Sequence, residues 1–216
     1  MRGLALIGFL WIGSAAAAPF AVQVGEARIG VDAPPGYADT TATGSPRLLE
    51  LGEALTSASN RILLFAVSDA DLRRFTLGDP LELRRYMAIV TPRALERERL
   101  TEAAFQQLIA DAAAGAPPAG ADYVKHLDAQ PVGATAVLAE LRKEPELVSV
   151  LQGARTKEGG FFKKAEYMLS TTTMMLVRGK ALTLSVFTRY EEPSDVEWIR
   201  AATVRWIDEL KRLNAR

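Results

Sequence analysis

The chain of 216 residues has no cysteine and a single histidine, and its 26 basic residues are matched by 26 acidic ones. Without cysteine there are no thiol nucleophiles, disulfides, Cys-ligated zinc sites or iron–sulfur clusters. A lipid-modified N-terminal cysteine is excluded for the same reason. One histidine, His126, removes most imidazole-based metal sites. A net charge of zero lacks the basic footprint of a dedicated nucleic-acid binder, so no nucleic-acid partner is expected. At 49% hydrophobic and 24% charged residues, the composition is that of a folded chain rather than a disordered one.

What is present begins with an address. Arg2 precedes an apolar run from Leu4 to Ile12, then Gly13, Ser14 and the alanines Ala15 to Ala18. A charged start, an apolar middle and a small-residue end form the pattern of a secretory signal peptide. Residues 1–18 are read as that signal and residues 19–216 as one domain. The cut falls after Ala16 or just beyond it, because Pro19 disfavours cleavage after Ala18. The alternative is an uncleaved inner-membrane anchor, since Gly3 to Val22 carries no charge over about the ~20 residues a bilayer span needs. Small residues and a proline in its second half weaken a spanning helix, so no stable span is expected after cleavage. The basic residues are mostly arginine and the chain is alanine-rich, which suits a GC-rich bacterial genome. The expected location is the periplasm or the exterior.

Periodicity organises the remainder. Phe20 to Val31 alternates around Gly25-Glu26 and predicts a hairpin. Pro34-Pro35-Gly36-Tyr37 ends it. Ser45-Pro46 opens a helix with Leu48, Leu51 and Leu55 as its apolar stripe. Asn60 to Val67 reads as a strand buried on both faces. Asp69 to Phe75 reads as a short helical turn. Leu81 to Val90 reads as a strand, with Leu83, Met87 and Ile89 facing one way and Tyr86, Ala88 and Val90 the other. Thr101 caps a helix carrying Phe105, Leu108, Ile109 and Ala112, which Gly115 and Pro117-Pro118 stop. Val132 to Lys143 is predicted helical from Val137, Leu138 and Leu141, and Leu147 to Leu151 a short strand. Tyr167 to Val177 and Lys180 to Tyr190 flank Arg178-Gly179 as a second hairpin. Its register sets Met175, Thr173 and Thr171 opposite Leu182, Leu184 and Val186. Ser194 with Glu197 predicts a capping box for a final helix. Val196, Ile199, Thr203, Trp206, Ile207, Leu210 and Leu213 form its stripe. The fold class this implies is α+β, an antiparallel sheet sandwiched by helices in an α/β/α arrangement.

This layout, an opening hairpin ending in Pro-Pro-Gly-Tyr and a long closing hairpin running into a last helix (Thr183 to Asn214), resembles a family of uncharacterised exported bacterial proteins. More distantly it resembles the PsbP-like fold of photosystem extrinsic subunits and bacterial periplasmic relatives. The resemblance implies a binding or assembly role rather than catalysis, and it carries over no site residue.

Catalytic signatures are missing. GxSxG, HExxH, GxGxxG and GxxxxGK[ST] do not occur, and no cofactor or metal is expected. His126 lies near Asp122 and Asp128, but no serine beside them is marked as a nucleophile. Glu191, Glu192 and Asp195 could do acid–base work, yet acids there also complement a helix dipole. Asp69-Ala70-Asp71 lacks the other ligands and the glycine of a calcium loop. Arg155, Lys157, Lys163 and Lys164 surround Gly159-Gly160 and Phe161-Phe162, a basic aromatic loop able to meet a membrane surface or an anion. Its plainer reading is a hairpin with one phenylalanine turned inward. The mixed signs of Arg93, Glu96, Arg97, Glu98 and Arg99 read as a solvated face. Met168, Met174 and Met175 read as core filling. Trp198 and Trp206 read as helix-to-sheet packing, with Trp198 nearer the edge.

Two functions fit these observations. The first is a non-enzymatic exported domain that binds an envelope protein, through a sheet edge or the 155–164 loop. The second is a small-molecule binder or hydrolase with a pocket between sheet and helices, built from residues dispersed in sequence.

Overall fold

Alternation in the first segment folds as expected. Phe20–Val24 (β1) and Ala27–Val31 (β2) pair antiparallel around Gly25, whose φ of 54° is the left-handed conformation glycine allows. The computed structural model describes residues 20–157 and 165–215. The expected signal segment and the loop residues Gly159, Gly160, Phe161, Phe162, Lys163 and Lys164 lie outside the described residues.

Among the described residues the main sheet has seven strands, all antiparallel to their neighbours. These are Tyr37–Asp39 (β3), Asn60–Ser68 (β4), Arg85–Pro92 (β5), Thr135–Glu144 (β6), Leu147–Lys157 (β7), Glu166–Val177 (β8) and Lys180–Tyr190 (β9). Their spatial order is β3-β4-β5-β9-β8-β7-β6. The β8–β9 hairpin adopts the register read from sequence, with Met175, Thr173 and Thr171 opposite Leu182, Leu184 and Val186. At its turn Arg178 has φ 52° and Gly179 φ 80°. Positive φ at both central residues matches the type I′ turn, whose twist suits a hairpin.

Helices cover both faces, so the domain is an α+β sandwich. On one face lies Pro193–Asn214 (α5), 22 residues and roughly 33 Å long, together with the β1–β2 hairpin and the short helix Tyr123–Asp128 (α4). The main core sits here: Ile199, Trp206, Ile207 and Leu210 of α5 pack on Met87, Leu184, Val186 and Leu151. On the other face Pro46–Leu55 (α1) and Asp69–Thr76 (α2) cover Phe65, Val67 and Tyr86. Glu102–Leu108 (α3) covers Val148, Val150 and Leu176 at the far side of that face. The threonines of β8 that point towards α5 are buried and paired. Thr171 and Thr203 hydroxyls are 2.7 Å apart, and Ser149 and Thr173 likewise, which satisfies each buried polar group.

Several expectations are corrected. Residues 135–144 form an edge strand rather than a helix. Register shifts between Val137 and Ala139 and between Glu140 and Arg142 interrupt the alternation. Leu138, Ala139 and Leu141 therefore all join the α5-side core, a spacing that imitates a helical stripe. The strand at Leu81 begins only at Arg85, and Leu83, at φ 47°, packs with Tyr86 and Ala88 instead of Met87. The final helix is capped by Glu192 with Asp195 in the reciprocal position, and Pro193 takes the first turn, so Ser194 is already inside it. The strand at Leu147 runs on to Lys157.

The hairpin tip is wedged against the body of the domain. A Cβ added at Gly25 would stand 2.5 Å from the Glu96 carbonyl oxygen and 2.8 Å from Lys180 Nζ. Gly25→Ala is expected to lower unfolding stability by about 1–3 kcal/mol, because backbone cannot yield as a side chain can. Urea denaturation checks this; a change within error would mean the tip is not held there.

Candidate functional site

The cleft follows from the path of the chain after β2. Pro34 and Pro35 cannot continue a ladder, and the Tyr37 N–H closes a turn on the Pro34 carbonyl at 3.0 Å. The chain then crosses from the α5 layer to the sheet edge, where β3 begins. Between this crossing, α5 and the sheet lies a cleft of about 760 Å³. Pro34, Pro35, Tyr37 and Trp198 form its sides, and Met87 and Trp206 its floor. Asp32, Asp39, Arg205 and Glu209 supply the polar groups.

Trp198 and Trp206 are eight residues apart on α5, hence roughly 80° apart around it, and both face the cleft. Trp206 is only 2% exposed, and its indole N–H donates to the Asp32 carbonyl at 2.9 Å, so it is fixed floor. Trp198 is half-buried. The Arg85 guanidinium lies over its ring, 4.0 Å from the centroid, and Arg85 in turn donates to Asp195 at 2.9 Å.

Asp195 is the anchor of this arrangement. Its side chain is fully buried, accepts the N–H groups of Glu191 at 3.0 Å and Glu192 at 3.2 Å, and faces Arg84 at 3.6 Å. Burial alone would raise its pKa. The two N–H groups and the two guanidinium groups outweigh that and hold the carboxyl below the usual carboxylate range. Burial likewise raises the Tyr37 phenol, against the nearby Arg85, so it stays protonated as a donor.

Two of the three carboxylates of the cleft are engaged. Glu209 is held by Arg212, at 3.1 Å from its Nε. Asp39 accepts from the Thr41 N–H and hydroxyl, both at 2.9 Å, and from the Phe65 N–H at 3.3 Å. In contrast, no hydrogen bond within the described residues engages the Tyr37 hydroxyl, the Trp198 indole N–H, the Arg205 guanidinium or the Asp32 carboxylate.

The residues singled out from sequence are placed elsewhere or serve the fold. His126 lies on α4, where Asp122 caps the Lys125 N–H at 3.2 Å and Asp128 accepts from the Tyr167 hydroxyl at 2.7 Å. Neither acid is oriented for a triad. Glu192 and Asp195 build the cap of α5. Asp71 accepts the Ser68 hydroxyl at 2.9 Å, and its own N–H donates back to that hydroxyl at the start of α2. Among the described residues no His, Asp or Glu cluster is arranged to hold a metal ion. Arg155 is tied to the Gln130 carbonyl at 3.0 Å and Lys157 to Glu166 at 3.0 Å. Met175 is core and Met174 packs near α3, while Trp206 packs as expected and Trp198 does more, forming a wall. Tyr37, Asp32, Arg85 and Arg205 were not marked as site residues by sequence; the Trp198 and Trp206 spacing and the Pro-Pro-Gly-Tyr corner, read there as packing and as a hairpin end, are the signals that lead to this region.

No protein-family model matches the chain, and no curated protein does. Two solved structures are similar in layout. A point mutant of Mog1 matches with a TM-score of 0.41 at 12% identity, over 91% of this chain and 94% of that one. The Saccharomyces cerevisiae Ran-binding protein Mog1p matches with a TM-score of 0.39 at 13% identity, over 91% and 95%.

A carboxylate with a lowered pKa contributes stability that is present above its unfolded value, near ~3.9, and is lost as pH falls through the folded value. Asp195→Asn is therefore expected to cost about 2–3 kcal/mol at pH 7, with the difference from the parent shrinking below about pH 4. Urea melts from pH 7 to pH 3 check this. A difference constant across that range would show that the Asp195 charge is not what holds Arg85.

Proposed function

We propose that the chain is an exported, non-enzymatic binding domain that takes a segment of an envelope protein into the cleft between α5 and the Pro34–Tyr37 corner. One observation carries the reading: an aromatic-walled cleft between a helix and the sheet edge, two of whose three acids are held by neighbouring donors, while donors on its walls are left unengaged. Recognition needs apolar walls with a few placed polar groups. Acid–base catalysis needs a pair of groups free to exchange protons. Glu209 is bound by Arg212 and Asp39 is surrounded by N–H and hydroxyl donors, so neither supplies half of such a pair. Export rests on Arg2, the apolar run to Ile12 and the alanines to Ala18. Among the described residues no helix is long and apolar enough to cross a membrane.

The volume, about 760 Å³, also lies in the range of roughly 300–1,000 Å³ that holds small molecules. A photo-crosslinking residue at Arg205, on the cleft rim, separates the two readings in the native host. A discrete protein adduct is expected there, absent when the same residue replaces exposed Glu53 on α1, and lost in the Trp198→Ala background. No adduct at position 205, or equal adducts at both positions, would remove the protein-partner reading and favour a small ligand.

A further inference from the structure

The charge lining the cleft is unequal. Asp32, Asp39 and Glu209 bring three carboxylates, and among the described residues no hydrogen bond engages the carbonyls of Ala33 and Pro35. Against these acceptors the lining has one guanidinium, that of Arg205. Arg205 is exposed, so water serves its donors, whereas Asp32, Ala33 and Asp39 are half-buried. Part of the negative charge is already matched. Arg212 stands near enough to feel Asp32, yet gives its hydrogen bonds to Glu209. Arg85, beside Trp198, is matched by the buried Asp195. Asp39, in contrast, is met by three donor groups that are all neutral. Asp32 and Asp39 therefore stand against Arg205 alone, and the cleft is short of one positive charge. A half-buried carboxylate attracts a cation more strongly than an exposed one, because less water screens the pair.

The walls decide which cation. An ammonium is a compact, strongly hydrated point charge, and apolar walls offer nothing in place of its water. A guanidinium is planar and weakly hydrated. It donates sideways to a carboxylate and to carbonyls while its face rests on an aromatic ring. Trp198 already takes one guanidinium in this way, with Arg85 4.0 Å from the ring centroid. Arg85 does not line the cleft, so the part of the indole that does is left for a second. Pro34 and Met87 beside it are apolar and suit the aliphatic stem of such a side chain and its neighbours.

We propose that the cleft receives an arginine side chain of the partner, flanked by apolar residues, with its guanidinium on the Asp32 carboxylate and the carbonyls of Ala33 and Pro35 and its stem along the aromatic wall. This rests on the protein-binding reading above and names the residue by which that partner is held.

Indole fluorescence of the full chain carrying Trp11→Phe tests this. Of its three tryptophans, the two that remain, Trp198 and Trp206, both line the cleft. The titrants are blocked peptides of about seven residues whose central residue, between leucines, is arginine, lysine or citrulline, the neutral isostere of arginine. A saturable change is expected with the arginine peptide, weakening as salt rises. Binding should be weaker for lysine and at least about tenfold weaker for citrulline. Asp32→Asn is expected to lower affinity for the arginine peptide about tenfold and to leave the citrulline peptide unchanged, a split that misfolding does not produce. Glu53→Gln, at an exposed acid on α1, should change neither. Equal affinity for citrulline would overturn the need for a cation, and equal affinity for lysine the need for a guanidinium. Loss of both arginine and citrulline binding in Asp32→Asn, or loss of neither, would overturn the assignment of Asp32. No binding of any peptide, while the crosslink at position 205 persists, would overturn the arginine proposal and leave the protein-partner reading intact. Absence of that crosslink would instead remove the reading on which the proposal rests.

Discussion

The cleft side of the molecule hangs from the two ends of α5. At its start the buried Asp195 carboxylate gathers two backbone N–H groups and the guanidinium groups of Arg84 and Arg85, which fixes the helix against β5 and β9. At its end the Asn214 amide donates to the Gly30 carbonyl at 2.8 Å and accepts the Gly30 N–H at 2.9 Å, and so closes on the backbone of β2 as another strand would. Trp206 adds its bond to Asp32 between them. Each such bond contributes only about 1 kcal/mol net. Together they fix where the helix, the sheet and the opening hairpin stand, and the apolar core then fills what lies between them. Ion pairs of Arg142 with Asp208 and of Glu144 with Lys211 tie the far edge strand to the same helix.

That geometry makes the cleft a consequence rather than an accident of packing. The hairpin is bound to the second half of α5, while β3 must reach the sheet edge beside β4. The connecting residues have to span the gap, and two prolines keep them from closing it with strand pairing. A surface lined by Trp198 and Tyr37 is left without a helix over it. The same helix that seals the core over β8 and β9 thus leaves the β3–β5 side open.

Much of this was legible in sequence, and the exceptions have physical causes. Hairpins with tight turns are read well because glycine placement and strict alternation act together, as at Gly25 and at Arg178-Gly179. Where bulges interrupt alternation, as at Val137 and Glu140, the pattern of period two vanishes and an edge strand imitates a helix. The cap of α5 was misread by two residues because Ser194 and Glu197 satisfy the same rule as Glu192 and Asp195. The structure chooses the pair whose acid can also take Arg85. The site itself was nearly invisible, since Asp32, Tyr37, Arg85 and Arg205 meet only through the fold. No spacing rule connects a residue after β2 with one in the middle of α5.

Why the tryptophans were read as packing is instructive for the function. Of the pair, Trp206 obeys that reading, since its N–H is satisfied and its ring is sealed. Trp198 departs from it in a specific way. An aromatic side chain placed only to fill space would not need a guanidinium laid over its ring and a buried carboxylate behind that guanidinium. Asp195 and Arg85 hold one face of the indole, so its orientation is set before anything binds. A wall fixed in advance loses little rotamer freedom on contact, which is the condition under which a shallow aromatic cleft gains affinity. The anchor that seats the helix and the residue that faces the cleft are therefore parts of one charge-linked row, Asp195 to Arg85 to Trp198.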